Sequence, residues 1–235
     1  MSKSIIRSAA VALTAGLLMT MAPGVLGQEE APGERSIESV KQRCIRAIDA
    51  RLHRIDRLQN AVSSSRHVTP RHEAILEGQL ADAQAGLTRL KAQIRAEDDR
   101  EEIRRLCRSI VTEYRIYVLV TPRTMLTLAA DAAVAAANKL DDVADRIQYA
   151  IDEAAAEGKD VTEAQAQLDS MRSHIEAAKA SAGSVPDAVL PLTPSDWPGA
   201  QEVLRQAKQD LDEAREDLRA AKQDGYDAVE ALKEA

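Results

Sequence analysis

An all-α protein is predicted, an elongated antiparallel helical bundle of five to six heptad-patterned helices. Of the 235 residues, 45% are hydrophobic but only 2% are aromatic, whereas strands favour aromatic and β-branched side chains. Ala, Leu and charged residues dominate, as they do in long helices. Apolar residues also recur at alternating steps of three and four along most of the chain, which is the spacing of a coiled-coil seam.

Residues 1–27 have the pattern of a secretory signal peptide. Lys3 and Arg7 form a positive start, an uncharged apolar stretch follows, and small residues precede the expected cleavage site. A membrane anchor is the alternative, but the apolar stretch is short and Pro23–Gly24 interrupts it. We therefore expect an exported protein, extracellular or associated with the cell envelope, with a flexible N-terminus over residues 28–35.

The next part, residues 36–120, is predicted to form one helical half of the protein. Apolar positions at helical spacing predict a first helix over about 36–64. Thr69 and Pro70 then start a second helix, with the threonine as N-cap and the proline at the first helical position.

Cys44 and Cys107 bear on where the second helix ends. An even number of cysteines in an exported chain predicts a disulfide, and two buried thiols are the alternative. A break near residue 97 brings both cysteines to one height in an up-down-up bundle. A continuous helix over residues 70–117 leaves them roughly 27 Å apart, which no disulfide spans. The bridge and the break are predicted together. Residues 114–120 are predicted to form the buried end of a third helix and the connection to the second half.

The other half of the protein, residues 121–235, is predicted to contain three more helices. Thr121 and Pro122 repeat the N-cap pattern, and Gly158 ends the helix that they start. The predicted segments are a hairpin over 122–182, a Pro-rich loop over 183–199 and a long C-terminal helix over 200–235.

An internal repeat suggests a duplicated helical hairpin. Residues 56–62 match residues 145–151 at an offset of 89, and three apolar positions of the second helix match those of the fifth at an offset of 88. Heptads also produce chance similarity of this kind, so duplication and coincidence both remain open.

The order of these features resembles a group of exported helical proteins from high-GC Gram-positive bacteria that have no assigned activity. The order is a signal peptide, a helix with Cys44, a Thr-Pro hairpin, Cys107 with the Tyr-Arg-Ile-Tyr segment, an Ala-rich helix with Asp131, and a Gly-Lys-Asp hairpin. The resemblance implies an envelope or secreted protein and supplies no mechanism.

Composition and motifs argue against several activities. The net charge of −7 argues against nucleic acid as a partner, and the scarcity of aromatics argues against a carbohydrate or small-molecule cleft. His67, His72 and Glu73 could meet a metal ion at the first turn, but a solvated turn is the favoured interpretation. No catalytic residue, cofactor-binding residue, metal ligand or cofactor is predicted.

Two single residues remain as site candidates. Asp131 lies alone in an apolar stretch: it is either a buried carboxylate paired with Arg115 or Arg123, or an exposed residue of an Ala-rich helix, which we favour. Trp197, the sole tryptophan, either caps the core of the second half, which we favour, or anchors a partner.

A non-catalytic scaffold or adaptor acting through helix–helix protein contacts is the predicted function. The alternative is a secreted partner-binding or membrane-active helical protein, and an enzyme with an unfamiliar site ranks third. A protein partner or self-association is expected. Nucleic acid and an integral membrane span after signal cleavage are not expected, and contact with a membrane surface is a less favoured alternative.

Overall fold

The computed structural model describes residues 34–235. The predicted signal peptide and most of the predicted flexible N-terminus lie outside the described residues. Six α-helices and two short helical turns follow one another: α1 Glu34–Ser64, α2 Pro70–Ala96, α3 Arg100–Thr112, a π-helical turn Ile116–Val120, α4 Thr121–Ala156, α5 Thr162–Val189, a 3-10 turn Pro194–Asp196 and α6 Ala200–Glu234. The all-α prediction is confirmed.

Helices α1, α2 and α3 form the first bundle. Thr69 caps α2 as predicted, because its hydroxyl accepts a hydrogen bond from the backbone N–H of His72 at 3.2 Å and Pro70 occupies the first turn. All fifteen buried residues described for this core are Ile, Leu or Val. Each such side chain contributes about 1.5–3 kcal/mol when it leaves water.

The disulfide and the break between α2 and α3 are both confirmed. Helix α2 ends at Ala96 and α3 begins at Arg100, with the Asp99 carboxylate accepting a hydrogen bond from the N–H of Glu102 at 2.8 Å. Cys44 and Cys107 are bonded, with their Cα atoms 5.6 Å apart. The bridge therefore joins α1 to α3 at one level of the bundle.

The connection between α3 and α4 differs from the prediction. Helix α3 ends at Thr112, and Arg115 adopts a left-handed conformation with φ of 43°. The N–H groups of Leu119 and Val120 both donate to the carbonyl of Arg115, at 2.9 and 3.3 Å, and this π-helical turn continues into α4. Residues 116–120 therefore begin α4 and do not end α3. Thr121 is not an N-cap, because Leu119 and Val120 are buried, Val120 in the first core, and the helix already exists before the proline.

Helices α4, α5 and α6 form the second bundle, and α5 is longer than predicted. It ends at Val189 and contains Pro186, so the predicted loop over 183–199 is wrong in its first seven residues. Ala182, Val185 and Val189 are fully buried and continue the apolar stripe of the helix. Their burial outweighs the cost of a proline in a helix, about 3 kcal/mol. The loop occupies residues 190–199.

Helix α4 belongs to both bundles, which overlap end to end. Its start contributes Val120 and Leu128 to the first core, while Ala137 and Ile147 lie in the second bundle. Leu190, just after α5, also packs into the first core.

The matched residues of the internal repeat lie in two hairpins, α1–α2 and α4–α5. Duplication of the hairpin stays a prediction.

Within the described residues, one helical stretch is long and apolar enough to span a membrane. It covers Arg100–Ala156, and its most apolar 18-residue window has a mean hydropathy of 1.3 and is 44% buried inside the protein. A core helix of a folded domain meets the same criteria, and α4 has that position here. The expectation that no segment spans a membrane stays a prediction.

Candidate functional site at the junction of the two bundles

Asp131 is buried, with 6% of its surface exposed, so the favoured exposed interpretation is wrong. The carboxylate lies against the N-terminus of α2. One oxygen accepts a hydrogen bond from the backbone N–H of Thr69 at 3.0 Å, and the Nδ1 atom of His72 lies 2.9 and 3.0 Å from the two oxygens. The positive end of the α2 dipole favours a carboxylate at this position.

The predicted arginine partners of Asp131 are also wrong. Arg123 precedes Asp131 by eight residues, about 12 Å along α4, and Arg115 lies beyond the π-helical turn. His72 is instead the partner, so the histidine proposed for a solvated turn is held between α2 and α4. This contact fixes the α1–α2 turn against α4. Across the described residues, no group of three or more metal-ligating side chains occurs.

Trp197 contacts the α3–α4 connection. It is partly buried, and the guanidinium carbon of Arg115 lies 5.1 Å from the centre of its indole ring, a cation–π distance. Arg115 also donates from Nε to the carbonyl of Pro194 at 3.1 Å. The contact described for its ring is therefore with Arg115, and both the capping and the partner-anchor interpretations stay predictions.

Two more side chains hold the loop over residues 190–199 in place. Arg123 donates from Nη1 to the carbonyl of Leu192 at 2.6 Å, and Gln79 of α2 donates from Nε2 to the carbonyl of Leu190 at 3.0 Å. With Arg115, they bind three carbonyls of the loop within five residues. We call this region the junction: the α3–α4 connection, the loop over 190–199 and the face of α2 beside them.

A cavity of about 300 Å³ lies at the junction. It is lined by Gln79, Asp82, Ala83, Glu113, Tyr114, Val120, Arg123, Leu192, Thr193 and Pro194. Burial raises the pKa of Tyr114 and lowers the pKa of Arg123 to about 10, because each charged form loses water. Arg123 therefore remains protonated at neutral pH and places a positive charge in the cavity wall.

Sequence reasoning found part of this site. Asp131 and Trp197 were singled out, and both lie near the junction, although with different partners. Gln79 is not among the predicted site residues. The sequence feature that could have indicated it is a polar residue beside the buried stripe of Leu76 and Leu80. The left-handed conformation of Arg115 has no signal in the sequence, because glycine is the residue that ordinarily marks such a position.

Comparisons with known proteins found no family model that matches this chain, and no curated protein or solved structure similar to it. The resemblance to exported helical proteins of high-GC Gram-positive bacteria stays a prediction.

Proposed function

We propose that this protein is an exported, non-catalytic helical scaffold or adaptor that acts through protein–protein contacts. The observation that carries the proposal is the union of two bundles with opposite net charge. Helix α4 runs through both, and side chains of the junction tie them together. The signal-like sequence of residues 1–27 and the Cys44–Cys107 disulfide support export.

The charge difference between the two parts of the chain is large. Residues 34–120 contain 17 Lys and Arg against 13 Asp and Glu, a net charge of +4. Residues 121–235 contain 12 Lys and Arg against 23 Asp and Glu, a net charge of −11. The basic part of one copy attracts the acidic part of a second copy, and such heterologous contacts build chains of subunits.

The test is a mass measurement by light scattering across a range of protein and salt concentrations. We expect the mass to rise with protein concentration at low salt and to fall toward the monomer in high salt, because screening weakens exposed charge pairs. Charge reversal at the exposed Glu213, Glu216 and Glu230 of α6 should abolish the increase.

A complementary variant reverses the charge of three exposed arginines of the first bundle. It should abolish self-association in the same way. Mixing the two variants should restore it, because opposite charges again face each other. A monomer under all conditions that also retains no envelope component in a pull-down contradicts the scaffold proposal.

A second candidate, contact with an anionic membrane surface, is favoured by one observation. Val111, Tyr117, Val118 and Met125 are apolar or aromatic residues that are 44–52% exposed. Arg104 and Arg108 line a surface pocket with Val111, and the guanidinium carbon of Arg51 lies 5.0 Å from the ring centre of Tyr117. Apolar side chains flanked by arginines suit an anionic lipid surface. Binding to anionic but not neutral vesicles, lost in a Tyr117→Ser, Val118→Ser variant, would favour this candidate over the scaffold. Absence of binding and of leakage at micromolar protein would exclude it.

A further inference from the structure

A groove lies along the second bundle between α4 and α6. Two cavities, of about 370 and 400 Å³, open in it. The first is lined by Leu126 and Leu204 near the starts of the two helices, and the second by Val143 and Val229 in their later turns, so α4 and α6 run parallel. Leu126 and Val143 are 17 residues apart, about 25 Å along α4. The groove is therefore an apolar surface of that length or more.

Much of this apolar surface is open to solvent. Met125 lines the first cavity, and Val143, Tyr226 and Val229 line the second; these four side chains are 37–60% exposed. They remain exposed because α5 packs on the other side of α4 and α6, and none of the described elements covers the groove. A four-helix bundle has a fourth helix at this position, and amphipathic helices bind in apolar grooves of this kind.

The cations of the groove form a row with heptad spacing. Lys208, Arg215 and Lys222 of α6 line the two cavities, and each follows the previous one by seven residues, about 10.5 Å along the helix. Among the described residues, no carboxylate lines either cavity, although residues 121–235 contain 23 Asp and Glu against 12 Lys and Arg. The groove is therefore a basic site on the acidic half of the protein.

These cations are accessible to a partner. Lys208 and Arg215 pair with Asp212 of the same helix at 3.4 and 2.7 Å, but their side chains are 73% and 51% exposed. The Nζ atom of Lys222, which is also exposed, lies 5.6 Å from the ring centre of Tyr226. Ion pairs with this much exposure contribute little to stability. A carboxylate from a partner can therefore join or replace Asp212 without breaking a buried contact.

The repeat of the charges restricts the kind of partner. A helix places side chains seven residues apart at the spacing of this row, whereas an acyl chain has one charged end. Two copies of the protein placed groove to groove would bring their cations together, and like charges oppose such a dimer. We propose that the groove binds one amphipathic helix of a partner protein, with its apolar stripe between α4 and α6 and heptad-spaced carboxylates along α6. This inference names the partner chemistry of the scaffold and rests on that proposed function.

The probe is a synthetic helix of 21 residues, about 31 Å long, with Leu along one stripe and Glu at the heptad positions beside it. A matched peptide has Lys at the same positions. Binding of the labelled peptides to the disulfide-bonded protein is measured by fluorescence anisotropy. We expect the Glu peptide to bind at least about tenfold more tightly than the Lys peptide, because only its charges complement the row.

A charge exchange tests the row itself. Lys208→Glu with Lys222→Glu should reverse the order of the two peptides by at least about threefold, since two of the three cations become carboxylates. The matched control is Arg205→Glu with Arg219→Glu, which makes the same change of charge at exposed positions of α6 outside both cavities. The control should keep the preference for the Glu peptide. Equal effects of the two double variants would overturn the proposal.

Val143→Ser with Val229→Ser tests the apolar surface of the groove. It should weaken binding of the Glu peptide at least about fivefold, because both side chains lose apolar contact area. Tyr149→Ser is the control, at a 66% exposed position of α4 outside both cavities, and should leave binding unchanged. An unchanged affinity in the double valine variant would mean that the peptide is held by charge alone, and the docked helix would be excluded.

Methyl NMR shows whether the peptide covers both cavities. Both methionines of the described chain lie at the groove, Met125 at the first cavity and Met171 at the second. The Glu peptide should shift both methyl signals. A shift of one signal alone, or an equal response to dodecanoate, would indicate a site for an acyl chain and overturn the proposal.

Two further outcomes separate this proposal from the scaffold function. Failure of the Glu peptide to bind at millimolar concentration, in a protein whose mass still rises with its own concentration, would overturn the helix site alone. A rise in mass that the Val143→Ser, Val229→Ser variant abolishes would place a second copy in the groove, and the proposed partner would again be wrong.

Discussion

The two bundles share α4 but are held together by different means. The buried residues described for the first core are all large aliphatic side chains, and a disulfide crosses it. In the second bundle, 11 of the 19 buried residues described for its two clusters are alanines. Ion pairs between helices occur in both bundles, Lys179 with Asp141 in the second and Lys91 with Asp49 in the first.

This difference indicates opposite sensitivities to mutation. A core of large side chains loses stability when one is shortened, because a cavity remains. A core of alanines depends on close approach between helix backbones and loses stability when one residue is enlarged. The first bundle should therefore tolerate truncation poorly, and the second should tolerate added volume poorly.

Leu87→Ala should have the largest effect. Leu87 is fully buried in the first core, and its truncation should lower the free energy of unfolding by about 2–5 kcal/mol. Denaturation in urea measures this loss. The control is Val111→Ala in the same bundle, where the side chain is 52% exposed and the change should stay within about 0.5 kcal/mol.

Removal of the disulfide should rank second, at about 2–4 kcal/mol. The variant is Cys44→Ala with Cys107→Ala, which opens a loop with a sequence separation of 63 residues. Hydrogen exchange should show faster exchange in α1 and α3 and little change in α5 and α6. Equal acceleration in all helices would show that α4 makes the two bundles one cooperative unit, and the contrast between them would fail.

Ala178→Leu should cost about 1–3 kcal/mol, because Ala178 is buried where α5 meets its neighbours and the added volume has no room. Ala92→Leu, at an exposed position of α2, is the matched control and should leave stability nearly unchanged. A tolerated Ala178→Leu, measured by thermal and urea unfolding, would mean that the second bundle packs less closely than its alanines indicate.

Each bundle has a buried glycine, Gly86 in the first and Gly225 in the second. The two glycines differ in what an added methyl group would contact. A Cβ atom at Gly86 would lie 2.6 Å from Cε1 of Tyr114, whereas one at Gly225 would lie 3.0 Å from Sδ of Met171. The ring is rigid and the thioether is flexible. Alanine gains about 1 kcal/mol of helix propensity at either position.

We therefore expect Gly86→Ala to destabilise the protein by about 1–2 kcal/mol net and Gly225→Ala to be close to neutral, by thermal denaturation. Tyr114→Leu in the Gly86→Ala background should recover part of the loss, because the clashing ring atom is removed. Equal losses at the two glycines would contradict this explanation.

Arg115, between the bundles, should give the smallest effect. Its hydrogen bond to Pro194 and its contact with Trp197 contribute about 1–2 kcal/mol, while its left-handed backbone costs a similar amount. Arg115→Ala keeps that cost and loses the contacts. Arg115→Gly loses the contacts but also removes the backbone cost, so it should be the more stable of the two variants in thermal unfolding. The opposite order would contradict the explanation by backbone strain.

Local chemistry explains why much of the fold was predicted from the sequence. Thr69 with Pro70 starts α2, and Gly158, at φ of 83°, follows α4; both follow from the backbone preferences of single residues. The pairing of Cys44 with Cys107 follows from the even number of cysteines, and helix rise ties it to the break near residue 97. The end of α5 was wrong because Pro186 is a strong local stop signal, and the burial of Val185 and Val189 in a core formed by distant residues overrode it.

The sequence by itself determined the helical class, most helix boundaries and the disulfide, because these depend on periodicity, caps and rise per residue, which act over a few residues. Tertiary structure decided the partners of Asp131, Trp197 and Arg123. Those partners lie 59, 82 (197 − 115) and 69 positions away along the chain, and heptad spacing carries no information about which helix faces which. The cavity at the junction exists only because α2, α4 and the loop over 190–199 meet there.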